Sequence, residues 1–127
     1  MSKKAIKPVR VELGGKERLL RFDFNAMTDF EDVMGFSLFT AVQGGQIGFK
    51  TMRAFYWAGL RWKEKGLTLP KTGSLLQEAI DDGEDFMSLM EPINEALEAS
   101  GVIPTDDEEE EGYDEEEADE EDEGKNA

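Results

Sequence analysis

The chain contains no cysteine and no histidine. Without cysteine it has no disulfides, thiolate metal sites or cysteine nucleophiles, an absence that agrees with a reducing compartment. Without histidine it lacks both the commonest general base and the commonest metal ligand. No apolar run approaches the roughly 18 residues needed to span a bilayer. The basic opening Met1-Ser2-Lys3-Lys4 leads into no apolar stretch of signal-peptide length. Together these gaps predict a cytoplasmic, non-enzymatic binding protein with no cofactor, no metal and no membrane partner.

What is abundant is negative charge, and it is unevenly spread. The formal net charge is -16. Half of the 30 acidic residues fall between Asp106 and Glu123, a stretch with no basic residue; Lys125 is the one cation after it. The chain before Asp106 is close to neutral and rich in Phe, Leu and Met, so it can bury a core. The acidic stretch offers only Tyr113 and Ala118 as apolar groups and cannot offset its own chain entropy. The expected organisation is therefore a compact domain over residues 1–104 and a disordered polyacidic tail over residues 105–127.

Val9 to Leu13 alternates apolar and charged residues, Gly14-Gly15 follows, and Leu20 to Phe24 alternates again. This is a hairpin pattern. A two-residue turn pairs Leu13 with Lys16 and Val9 with Leu20, putting Val9, Val11, Leu13, Leu20, Phe22 and Phe24 on one face; a longer loop would break that agreement. Two strands are marginal alone, so helices must cover the apolar face.

Five helices are expected to do so. Asn25 is the N-cap of the first, which carries Met27, Phe30, Val33 and Met34 and stops at Gly35. Ser37 to Gln43 is a short second helix with Leu38, Phe39 and Val42 inward. Phe49 to Lys65, apolar at Phe49, Met52, Phe55, Tyr56 and Leu60, is the central helix and closes at Gly66. An extended connector, Leu67-Thr68-Leu69-Pro70, leads to a fourth helix from Thr72 to Ile80, and Asp81-Asp82-Gly83 breaks the chain. The last helix runs from Glu84 to Ser100, with Pro92 either kinking it or marking a later start near Glu91. The predicted fold class is α+β, mainly α: an N-terminal two-stranded β-hairpin packed on a small bundle of four to five helices.

Two stretches superficially suggest chemistry. Gly44-Gly45-Gln46-Ile47-Gly48-Phe49-Lys50-Thr51 has the ingredients of a phosphate-binding loop, but Phe49 separates the last glycine from the lysine and no parallel strand precedes it, so an interhelix linker is expected. Asp81-Asp82-Gly83-Glu84-Asp85 concentrates oxygens without calcium-loop spacing, which leaves capping and a solvated turn.

The central helix is more informative. Projected at about 100° per residue, Lys50, Arg53, Trp57 and Arg61 fall together, away from the stripe of Met52, Phe55 and Tyr56. This set is the candidate partner-binding patch, in which Trp57 supplies buried area and the cations supply orientation. The same spacing also fits a helix covered on both sides, with Trp57 in the core and arginine stems alongside. A nucleic-acid partner is not expected, because acids outnumber bases and the tail repels phosphates.

The order of these elements resembles a known family. Leu20-Arg21-Phe22-Asp23-Phe24-Asn25-Ala26-Met27-Thr28-Asp29-Phe30-Glu31-Asp32-Val33-Met34-Gly35, then Met52-Arg53-Ala54-Phe55-Tyr56-Trp57-Ala58-Gly59-Leu60-Arg61 and Leu67-Thr68-Leu69, is similar to the tail assembly chaperones of long-tailed bacteriophages. In that family a strand runs into an acidic and apolar helix ending at glycine, followed by a central helix and a leucine-threonine connector. The chain departs from the pattern at Pro70-Lys71, where the family tends to have acidic residues. The resemblance implies a chaperone that coats the aggregation-prone tape measure protein, helps recruit tail tube subunits in the cytoplasm of the infected host, and is absent from the finished virion. A homo-oligomeric state is compatible with it.

A second function class fits the charge pattern. An acidic regulatory protein or nucleic-acid mimic would use the polyacidic tail to compete for a basic surface on its partner. The tail would then be the binding element, whereas in a chaperone it would keep a loaded complex in solution.

Overall fold

Gly14 and Gly15 both take positive φ, 63° and 71°, as a two-residue type I′ hairpin turn requires and as most side chains resist. They join β1 (Val9–Leu13) to β2 (Lys16–Leu20) in an antiparallel pair. Val9 faces Leu20 and Leu13 faces Lys16, the register that the alternation predicts. The computed structural model describes residues 5–44 and 47–102. Among these residues the hairpin is followed by α1 (Phe24–Met34), α2 (Leu38–Gly44), α3 (Phe49–Leu60), α4 (Leu69–Asp81) and α5 (Phe86–Ala99). The architecture is thus α+β and mainly α, with a two-stranded hairpin and five helices among the described residues. The expected acidic tail lies outside the described residues, as do Gly45 and Gln46 of the glycine linker.

Helix α3 organises the core. It packs on α1, α4, α5 and β2, while the hairpin also rests on α4 and α5. Its Phe55 ring stacks on Phe30 of α1 at 4.4 Å between centroids and meets Phe22 edge-on at 6.0 Å. All three phenylalanines are fully buried. Such aromatic pairs add about 1 kcal/mol each beyond their burial. The largely buried Arg18 side chain reinforces the junction of hairpin and helix. Its Nε donates to the Leu13 carbonyl at 2.9 Å and its Nη1 pairs with Glu64, tying both strands to the turn after α3.

Several boundaries differ from expectation, each for a local reason. Asp23, not Asn25, caps α1: its carboxylate accepts the Ala26 N–H at 2.8 Å. Phe24 therefore opens a helix instead of closing a strand, and it is exposed, not inward. Phe39 and Phe49 are exposed too, while Leu38 and Ala41 anchor α2. Helix α3 stops at Leu60, not Lys65, because the N–H groups of Lys63 and Glu64 both turn onto the Leu60 carbonyl, at 3.3 and 3.0 Å. The expected connector is shorter, since Thr68 caps α4 by accepting the Lys71 N–H at 3.2 Å, and Pro70 sits in the first turn where its missing N–H costs nothing. In α5, Asp85 and Ser88 form a reciprocal capping box, which fixes the start at Phe86 and leaves Pro92 inside the helix.

Candidate functional site

Helix α3 enters the domain through an exposed first turn. Asp82 and Gly83 end α4 at a tight break, with Gly83 at φ 111°, so α5 begins close to where α4 finishes. The two aromatic side chains that result, Phe49 on α3 and Phe86 on α5, meet edge-on at 5.4 Å. Between α3, α4 and the start of α5 lies an open groove of about 430 Å³.

The floor of this groove is formed by buried Met52, Leu76 and Leu89. Phe49, 77% exposed, and Ile80, 42% exposed, stand on its rim, and Met87 just beyond Phe86 is 71% exposed. Covering a side chain such as Phe49 in a complex is worth about 2 kcal/mol. One edge is cationic: Lys50 and Arg53 line the groove from α3, and the Arg53 stem lies over Gly73 of α4.

The four residues expected to form one patch are divided by the fold. Lys50 and Arg53 belong to the apolar groove. Arg61 lines a separate polar cleft of about 340 Å³ with Arg21, Asp29 and Trp62. There Arg61 pairs with Asp29 at 3.0 Å, and Arg21 pairs with Asp23 at 2.8 Å while lying over the Trp62 ring at 4.0 Å. The cleft thus answers these two cations internally. Trp57 packs half-buried against the core, donates its indole N–H to the Leu67 carbonyl at 3.0 Å, and carries the Arg61 guanidinium over its ring at 4.7 Å.

Sequence reasoning missed Phe49, Ile80 and Phe86 as a group. The available signal was their position at helix ends, Phe49 at the start of α3 and Ile80 and Phe86 on either side of the Asp81-Asp82-Gly83 break, where apolar side chains have few neighbours within their own helix. Beneath the groove, Tyr56 donates its hydroxyl to the Leu89 carbonyl at 2.6 Å, which fixes the start of α5 against α3. Burial, and secondarily the charge of Glu84, push its phenol well above the ordinary tyrosine pKa.

Among the described residues no cluster of acidic side chains is arranged to hold a metal ion, and no helix is long and apolar enough to cross a membrane. No protein-family model matches the chain, and neither a curated protein nor a solved structure matches it significantly.

Proposed function

We propose that this chain is a tail assembly chaperone of a long-tailed bacteriophage, a non-enzymatic protein that holds amphipathic segments of the tape measure protein and helps bring tail tube subunits to it. It would act in the cytoplasm of the infected host and leave before the virion is complete. The observation that carries this reading is the apolar groove between α3, α4 and α5, with Phe49, Ile80 and Phe86 at its rim. A groove of this shape takes the apolar face of a helix, through anchors spaced one turn apart. The order of strand, acidic helix, central helix and leucine-threonine connector gives the reading its particular form.

Co-expression tests it directly. An otherwise insoluble tape measure fragment should become soluble and co-purify with the chain. A fragment that stays insoluble, with no complex recovered, would count against the proposal.

A further inference from the structure

We infer that the groove selects an acidic amphipathic helix, one whose carboxylates flank its apolar stripe, over a neutral or basic one. The inference rests on the groove being a partner site. Lys50 and Arg53 stand three residues apart on α3, so their side chains share one edge of the groove. The facing edge on α4 contributes Gln77 and no charged residue to the lining. Within the described residues Arg10, Arg18, Arg21 and Arg61 each have a carboxylate partner, whereas Lys50 and Arg53 have none.

Arg53 differs from the other arginines in a second way. Its Nε is enclosed and has no hydrogen-bond partner among the described residues. Arg21 and Arg61 also have an enclosed, unbonded Nε, but each commits an Nη to an aspartate. Their charge is answered within the fold; that of Arg53 is not. A helix laid into the groove strips water from this guanidinium, which is costly unless the incoming surface supplies a counter-charge. A neutral helix would leave it buried and unpaired, and a basic helix would add repulsion. A glutamate or aspartate beside the apolar stripe accepts from Arg53 and Lys50 together.

The test uses the full chain and two synthetic peptides of about 18 residues, long enough to hold a helix. Both carry the same leucine stripe; one has Glu at the flanking positions and the other has Gln, which the acidic stretch does not attract. Fluorescence anisotropy at fixed ionic strength should give a dissociation constant at least ~10-fold lower for the Glu peptide, a difference of about one well-formed charge contact. Lys50→Glu with Arg53→Glu should invert the order. Lys50 is exposed, so Lys50→Glu alone shifts the ratio the same way should the double variant fold poorly. Equal binding of both peptides overturns the charge preference and leaves the groove as a partner site. Binding of neither overturns the groove itself. Tighter binding of both peptides by the double variant would show that the chain's own Asp106–Glu123 stretch held these cations, which also overturns the inference.

Discussion

The backbone N–H of Arg21 donates to the carbonyl of Gly59 at 2.9 Å, so the end of the hairpin is bonded to the last turn of the central helix. The same glycine has no room for a side chain. A Cβ at Gly59 would lie 2.8 Å from the Leu20 side chain and 3.0 Å from the Phe22 ring, and both neighbours are fully buried. Gly59→Ala gains about 1 kcal/mol of helix propensity. Overpacking a closed core costs roughly 1–3 kcal/mol. The variant should therefore lose about 1 kcal/mol on balance, and its melting temperature should fall by ~5 °C. A higher melting temperature would mean that strand and helix can move apart at no cost.

Tyr56 joins stability to pH. Tyr56→Phe removes the hydroxyl that bonds Leu89 and should cost about 1 kcal/mol at neutral pH. The phenol is also held protonated in the fold by burial. Above pH ~10 the unfolded chain releases this proton while the native state keeps it. The native state then binds more protons, so stability falls as pH rises through that range. Chemical denaturation at successive pH values should show the wild type losing stability more steeply above pH ~10 than Tyr56→Phe. Parallel slopes would show that Tyr56 is not sequestered.

Trp57 and Phe49 differ in burial, and under the proposed function their variants should differ in opposite ways. Trp57 packs on the core and bonds the connector through Leu67, so Trp57→Ala should destabilise by about 3 kcal/mol and lower the melting temperature well beyond the Gly59→Ala change. Phe49 is mostly exposed; Phe49→Ala should leave the melting temperature within a few degrees of wild type. It should nonetheless weaken capture of a tape measure segment about tenfold, as the loss of a rim aromatic does. The decisive measurement is both variants in a melt and in a pull-down. A Trp57→Ala protein that melts normally but no longer binds would return the partner site to the Trp57 face.

The hairpin was legible because two independent constraints agree on it. Slipping its register by one residue would turn Val11 and Leu13 to solvent, and Gly14-Gly15 permits the one turn that avoids the slip. The helices were legible as periodic stripes, and their ends less so. Asp23, Thr68 and Asp85 each compete with neighbouring polar residues for the capping role, and only the folded backbone shows which oxygen reaches an N–H. Lys50 and Arg53 were visible as one side of a helix, yet the groove beside them depends on Ile80 and Phe86 arriving from other helices. Neighbours brought together by packing leave no periodic mark on either segment.

The acidic stretch provides the sharpest choice between a chaperone and an acidic mimic. In a chaperone that holds its partner in the apolar groove, binding energy comes from Phe49, Phe86 and the residues beneath them. Removing residues 105–127 should then change affinity for a tape measure segment by no more than about threefold, because buried anchors, not the acidic stretch, supply most of the binding energy in that reading. The loaded complex should instead become less soluble, since a protein stripped of most of its net charge repels its neighbours less. A mimic behaves in the opposite way: its ligand is a basic surface, the acidic stretch supplies the attraction, and truncation abolishes binding. Isothermal titration with the full and shortened chains, together with light scattering of each complex, distinguishes the two. Loss of affinity on truncation would move the function from the groove to the acidic residues.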